Sequence, residues 1–214
     1  MDQIIAGPPE EEETMKIVPG ELTKMESHEL MMSGIVPRPI AFVSTIGENG
    51  VFNLAPYSSF APVGTSPAFV CFHTGLKRDG QKKDTLLNIQ FSKDFVINVV
   101  TEELAGAMNR TAADFPADVD EFKEAGLTPV PCDLVKAPRL AESPVNLECK
   151  LFQILELPPS PAAGHLIIGQ VVLVHASDDL WTGKDIDITK LRIIGRLGGQ
   201  LYCKVSDIFE MKRP

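Results

Sequence analysis

The stretch RPIAFVSTIGENGVFNL, residues 38–54, decides the fold class of this chain. Residues 40–46 are rich in β-branched and aromatic side chains, which favour a β-strand. Asn49-Gly50 follows this run, and Asn-Gly is the strongest short signal for the turn of a β-hairpin. Residues 51–54 resume the apolar pattern, so the stretch predicts two antiparallel strands joined by a tight turn.

Strand signals continue over the rest of the chain. Gly169 interrupts one of the later runs and predicts a bulge or a close approach of another group to the backbone. Pro56 and Pro62 bracket a stretch that predicts irregular structure. The further predicted strands are residues 68–73, 95–100, 146–154 and 166–175.

Helices are predicted to be short and few. Asp84 is the predicted N-cap of a helix that begins with residues 84–89. Acidic residues in 101–104 open a second helix, and residues 119–125 form a third that stops at Gly126. About six or seven strands with short helices between them predict a barrel rather than a parallel sheet of βαβ units.

The composition fits a single domain over residues 21–214, preceded by a flexible acidic tail over residues 1–20. The net charge of −9 argues against nucleic-acid partners and against binding to anionic membranes. No apolar run reaches the ~18 residues of a membrane span and no secretory signal is found, so a cytoplasmic location is predicted. The 4 cysteines form no CxxC pair and the 4 histidines are scattered, so reduced thiols and no metal site are predicted.

Small polar residues cluster around the hairpin and the segment after it. Ser44 and Thr45 end the first strand, and the hairpin brings Asn53 next to them. Small side chains within residues 54–59 would let backbone N–H and C=O groups reach a flat ligand such as a flavin ring. The alternative interpretation is a proline-rich loop with capping serines.

Two cationic positions could meet a phosphate. Lys83 and Thr85 lie at the start of the predicted helix, where unpaired N–H groups and the helix dipole attract anions. Arg196, next to Gly198-Gly199, could contact a phosphate or the negatively charged edge of a flavin. The alternatives are a solvated charged turn and a turn with a surface arginine. No GxGxxG or GxxxxGK[ST] motif supports a Rossmann or Walker phosphate site.

Taken in order, six segments of the chain resemble the flavin reductase-like family, the FMN-binding split barrels that include flavoredoxin. Together they cover the chain from about residue 30 to its end. They are residues 38–45, 53–60, 83–89, 95–98, 164–165 and 196–199 together with Tyr202.

The resemblance implies a mainly β fold, a six-stranded antiparallel Greek-key split barrel with a few short helices. It also implies a homodimer with FMN at or near the subunit interface. Lys83 and Thr85 would hold the phosphate, with Asp84 turned inward as a cap, and His165 would orient the flavin or the nicotinamide as the catalytic residue. The other residues implied to bind FMN are Arg38, Ser44, Thr45, Asn53, Leu54, Ala55, Pro56, Tyr57, Ser58, Ser59, Asn88 and Arg196.

The implied activity is that of a flavin reductase-like oxidoreductase, in which NAD(P)H passes a hydride to the flavin. The electrons would then go to oxygen, a metal or a partner oxygenase. One alternative is a non-enzymatic FMN-binding electron carrier without a nicotinamide site. Another is a pyridoxamine phosphate oxidase-like or haem-handling barrel, with His73 or His165 as an axial ligand. A proline-rich insertion at residues 157–161 departs from the simplest members and could reshape a nicotinamide pocket.

Overall fold

Strands dominate the chain, as its apolar and alternating runs predict. The computed structural model describes residues 14–157 and 164–214, so the four glutamates of the predicted tail and the prolines of the predicted insertion lie outside it. The strands are β1 (Ala41–Ile46), β2 (Phe52–Tyr57), β3 (Phe60–Thr65), β4 (Ala68–Thr74), β5 (Asp94–Val99), β6 (Pro129–Val130), β7 (Arg139–Leu140), β8 (Val145–Glu156), β9 (His165–Ala176), β10 (Ile194–Arg196) and β11 (Tyr202–Lys204). The helices are α1 (Lys24–Gly34), α2 (Asp84–Ser92), α3 (Ala105–Arg110), α4 (Glu121–Ala125) and α5 (Ile188–Leu191).

Seven strands form one antiparallel sheet in the order β2-β1-β5-β8-β9-β4-β3. Its two edge strands, β2 and β3, are separated in the chain only by Ser58-Ser59. One bent segment therefore supplies both edge strands and brings the two ends of the sheet together. If β2 and β3 are counted as one bent strand, the sheet has six strands. The predicted mainly β split barrel with short helices is confirmed.

The segment around Pro56 and Pro62 corrects one prediction. Residues 56–62 are not irregular, because β2 continues through Pro56 to Tyr57 and β3 begins at Phe60. β2 and β3 are edge strands, and an edge strand tolerates proline since one side of its backbone has no ladder to join.

The apolar core has two parts, one on each face of β1. Val43 packs in the first part with Phe72 and Phe95, whose rings meet edge to face with centroids 5.4 Å apart. Phe42 faces the opposite way and packs in the second part with Phe122 of α4. Because both faces of β1 are buried, the sequence of this strand is an almost continuous apolar run.

Gly169 lies in close contact with the core of the barrel. A Cβ atom at this position would come within 2.4 Å of the Phe95 ring, and the register of β8 shifts beside it, between Leu151 and Gln153. The predicted close approach to the backbone is confirmed. Glycine is required because the aromatic ring occupies the space of its side chain.

The helix predictions are only partly right. α4 ends at Ala125, and Gly126, with a φ of +67°, is the predicted left-handed C-cap. The prediction that Asp84 caps α2 is wrong, because Lys83 is the N-cap and the Asp84 carboxylate pairs with Lys77 Nζ at 2.8 Å. α1 was not predicted, since none of its residues is buried and it carries no clear apolar periodicity. Among the described residues, no helix combines the length and apolarity needed to cross a bilayer.

Candidate functional site

The outer edge of β2 forms the backbone wall of the candidate site. Among the described strands β2 pairs only with β1. The N–H of Leu54 points away from β1 and donates to Glu121 Oε2 over 3.1 Å. Pro56, two residues on, has no N–H to present. A further strand cannot pair with this edge, because the Glu121 side chain occupies the Leu54 N–H and Pro56 has no N–H. The edge therefore remains accessible to a ligand.

Asn53 is the centre of a buried polar network beside this edge. Its Oδ1 accepts hydrogen bonds from Thr85 Oγ1 at 2.7 Å and from Thr45 Oγ1 at 3.3 Å. Its Nδ2 donates to Glu121 Oε1 at 2.8 Å, and Asn88 Nδ2 donates to Thr45 Oγ1 at 3.0 Å. Side chains from β1, β2, α2 and α4 thus hold one another in place, and the Asn53 amide is fixed in orientation.

Glu121 is the carboxyl of this network, and its pKa is shifted strongly. Burial raises its pKa to about 7, although the hydrogen bonds from Leu54 and Asn53 act in the opposite direction. The negative charge of nearby Asp84 also raises the pKa of Glu121, by less than burial does. A carboxyl with this pKa gains and loses its proton near neutral pH, in contact with the strand edge. The sequence analysis missed Glu121, which it treated only as part of a short helix.

A cluster of cations lies at the start of α2. Lys83 Nζ contacts Asp114 Oδ1 at 2.7 Å, and Arg78 Nε lies 3.5 Å from the same carboxylate. The hydrogen bond from Lys83 lowers the pKa of Asp114, so this carboxylate is ionised at neutral pH. With the Lys77–Asp84 pair, three cations face two carboxylates. The start of α2 therefore already binds one anionic group of the chain itself, the Asp114 carboxylate.

Two cavities open between these groups. One of about 410 Å³ lies between the β1–β2 turn, α2 and the start of α4. It shares Asn53 and Glu121 with a second, of about 100 Å³, which reaches Lys83 and Tyr57. The Tyr57 ring packs on Phe72 at a centroid distance of 5.1 Å, and burial raises the pKa of its hydroxyl, which therefore stays protonated.

A third cavity, of about 290 Å³, continues along β2 from Pro56 to Ser58 and Arg196. The Arg196 guanidinium lies 4.4 Å from the centre of the Tyr202 ring, a cation–π contact. We call these three connected cavities the β2 cleft. Its volume falls in the range of small-molecule and cofactor sites, about 300–1,000 Å³.

A larger cavity, of about 590 Å³, adjoins the Arg196 end of the cleft through Tyr202. Its Arg192 is bound to Glu102 at 3.1 Å and to Glu103 at 2.5 Å. Lys204 also pairs with Glu102, at 2.7 Å. None of the residues predicted to bind a flavin lines this cavity, so we leave it outside the candidate site.

Most of the residues predicted to bind a flavin border the β2 cleft. Thr45 supports it through the polar network, and Leu54 contributes its backbone while its side chain packs in the core. Arg38 and Ser59 lie beside Ser58 in an adjoining cavity of about 250 Å³. The predicted residues that line the cleft itself are Asn53, Ala55, Pro56, Tyr57, Ser58, Lys83, Thr85, Asn88 and Arg196.

Three predicted residues have surroundings that the sequence did not foresee. The Ser44 hydroxyl lies on the opposite face of β1 from Thr45 and donates to the Pro138 carbonyl at 2.5 Å. The Arg38 guanidinium donates to backbone carbonyls, including that of Leu197 at 2.9 Å, and so ties α1 to the C-terminal segment. His165 is buried at the start of β9 and does not line the cleft; its Nδ1 has no partner among the described residues.

The chain matches the family model described as flavin reductase like domain, over residues 32–186. An uncharacterized protein of Halalkalibacterium halodurans is 38% identical over 203 residues, which are 94% of this chain and 97% of that protein.

Two solved structures share both sequence and fold with this chain. One is nitrilotriacetate monooxygenase component B from Bacillus cereus, with 32% identity and a TM-score of 0.88 over 92% of this chain and 98% of that chain. The other is 2-nitrobenzoate 2-nitroreductase from Pseudomonas fluorescens, with 29% identity and a TM-score of 0.85 over 94% and 96%.

Proposed function

This chain belongs to the flavin reductase-like domain family, and on that premise we propose that it is an FMN-binding oxidoreductase that oxidises NAD(P)H. The observation that carries the proposal is the anion position at the start of α2, directly beside the open edge of β2. Lys83 and Arg78 hold the Asp114 carboxylate there. The Asp114 carboxylate, bound mainly by Lys83, occupies the position where we place the phosphate, which is also an anion.

The residues of the β2 cleft fit the chemistry of FMN. Lys83 would donate to the phosphate from Nζ, and Thr85 would donate from its backbone N–H at the start of α2, since its hydroxyl donates to Asn53. The β2 edge from Asn53 to Ser58 would bind the polar side of the ring, with the ring of Tyr57 below. FMN, when bound, supplies the two-electron redox chemistry that protein side chains lack.

The chain's own groups would control position and protons. The network around Asn53 keeps its amide from turning, so a ligand at β2 meets fixed donors and acceptors. Glu121, with its pKa of about 7, holds or releases a proton at Oε1 or Oε2 near this edge. Lys77 pairs with Asp84 and so limits the repulsion between Asp84 and a phosphate at this position, whereas Asp114 would compete with the phosphate for Lys83.

We further propose that the electrons leave through a second protein or a reducible small molecule. Among the similar structures, one is a monooxygenase component and the other a nitroreductase, so a partner oxygenase and a nitro compound are the acceptors to test first. We also propose a homodimer, because α1 buries none of its residues and exposes Met25 and Met31, which a second copy could cover.

The test is NADH and NADPH oxidation by purified protein saturated with FMN, compared with the same concentration of unbound FMN. We expect oxidation of at least one nucleotide well above the rate with flavin alone. Stoichiometric FMN binding without nucleotide oxidation would favour an electron carrier instead. Failure to bind FMN would refute the proposal, and a haem absorption band in the purified protein would favour the haem-handling alternative.

A further inference from the structure

The fold brings together a thiol, a carboxylate and an imidazole outside the β2 cleft. Cys132 lies between β6 and β7, Glu148 on β8 and His175 on the adjacent β9. The ligand atoms of these three side chains all lie within 4.8 Å of one another. None of the three lines the β2 cleft.

The carboxylate at the centre of this group is held in a fixed orientation. Glu148 is fully buried, and its oxygens accept from the backbone N–H of Asp133 at 2.9 Å and of Leu134 at 2.7 Å. His175 Nε2 lies 2.6 Å from Glu148 Oε1 and 3.7 Å from Asp133 Oδ2. Backbone donors of this kind orient a carboxylate in the way that an outer shell orients a metal ligand.

We propose that Cys132, Glu148 and His175 bind one Zn²⁺ ion, with Asp133 or water as the fourth ligand. Sulfur, imidazole nitrogen and carboxylate oxygen are the three donor types that Zn²⁺ takes in proteins. With water as the fourth ligand, the thiolate and the carboxylate balance the charge of the ion, so the group carries no net charge. The fourth position faces solvent, because 72% of the Asp133 side chain is exposed.

The geometry requires only small side-chain movements. Ligands at zinc bond lengths of about 2.0–2.3 Å in a tetrahedron lie about 3.6 Å from one another. The closest contact, 2.6 Å, would open by about 1 Å, and the widest, which is no more than 4.8 Å, would close by about 1 Å or less. Cys132 and His175 are both partly exposed and can adjust, while Glu148 stays fixed.

The ion would fasten the segment before β7 to the barrel. That segment is also held by Asp94, which accepts from the N–H groups of Lys136 and Ala137, and by Ser44, which donates to Pro138. A metal bound only by the folded chain stabilises it. The bound ion should therefore stabilise the fold, and we expect no effect on flavin binding because none of its ligands lines the β2 cleft.

The test uses the full chain, stripped with a chelator and titrated with Co²⁺ and Zn²⁺. We expect one Co²⁺ per chain with a thiolate charge-transfer band, displacement by Zn²⁺, and a higher melting temperature with Zn²⁺. Cys132→Ser should remove the band and weaken Zn²⁺ binding by about 100-fold or more, and His175→Gln should weaken it similarly. Cys203→Ser, which changes a thiol outside the group, should retain wild-type binding.

The wild-type titration alone can overturn the proposal, even if a variant fails to fold. Absence of stoichiometric Co²⁺ uptake, or uptake without a thiolate band, contradicts it. Zn²⁺ binding that Cys132→Ser and His175→Gln leave unchanged also contradicts it. FMN affinity, measured on the same stripped protein, should not change with Zn²⁺, so this result and the flavin proposal fail separately.

Discussion

Replacing Asp114 with asparagine should make the protein bind FMN more tightly. In the structure the Asp114 carboxylate holds the Lys83 ammonium at 2.7 Å, at the position we assign to the FMN phosphate. A phosphate must displace this carboxylate or accept its repulsion, and Asp114→Asn removes the charge with little change in shape. Asp118→Asn, an exposed position in the same loop, is the matched control.

The size of the effect follows from the exposure of the pair. The side chains of Lys83 and Asp114 are 30% and 33% exposed, and Arg78, 3.5 Å away, is 97% exposed and adds little. Pairs of this exposure contribute about 0.2–1 kcal/mol, and the short contact favours the upper end of that range. A gain of about 1 kcal/mol corresponds to a dissociation constant about 5-fold lower.

Riboflavin separates a phosphate effect from a general one, since it has the same ring and no phosphate. Fluorescence titrations with both flavins should show tighter FMN binding by Asp114→Asn and unchanged riboflavin binding. Lys83→Met should weaken FMN binding by about 10-fold or more, the cost of losing a hydrogen bond to a charged group. Lys82→Met, one residue earlier, should have little effect. Equal changes for the two flavins would refute the placement of the phosphate at Lys83.

Three further predictions test other parts of the account. The pKa of Glu121 is raised to about 7 in the folded chain, so its contribution to stability is full below about pH 4.5 and is lost as the pH rises through about 7, a loss of about 3 kcal/mol. Denaturant unfolding of Glu121→Gln should lack this loss, and an unchanged pH dependence would count against a buried, titrating carboxyl. Gly169→Ala places a methyl group against Phe95 and should cost about 1–3 kcal/mol in thermal unfolding, whereas Gly106→Ala, with nothing within 4 Å, should be neutral or stabilising; equal melting temperatures would contradict the packing argument. Asn53→Ala breaks the polar network and should weaken riboflavin and FMN binding alike, unlike Lys83→Met; a loss confined to FMN would show that Asn53 acts on the phosphate instead.

The strands and the family could be predicted because their signals are local. Residues 40–46 are apolar on both faces since β1 is buried on both sides, and the Asn49-Gly50 turn fixes the pairing that follows. The match to the flavin reductase like domain confirms the predicted family. α1 could not be predicted because none of its residues is buried, so its sequence carries no apolar periodicity. The prediction of irregular structure at Pro56 was wrong because the sequence does not show that β2 is an edge strand.

The site was predicted less completely, because its contacts join distant parts of the chain. Glu121 and Asn53 are 68 residues apart in the sequence, and Lys83 and Asp114 are 31 apart. No local sequence pattern predicts either contact. The sequence analysis predicts no metal site because the cysteines and histidines lack close spacing. The zinc site that we propose joins Cys132, Glu148 and His175 from three separate elements, so close spacing along the chain cannot reveal it.

The central claim is that FMN lies along β2 with its phosphate at the start of α2. A crystal structure of the protein grown with saturating FMN tests it most directly. We expect the ring against Ala55 to Ser58 and the phosphate within hydrogen-bonding distance of Lys83 Nζ and the backbone N–H of Thr85. A flavin bound at another surface, or clear density for Asp114 still on Lys83 with no flavin in the β2 cleft, would contradict the account.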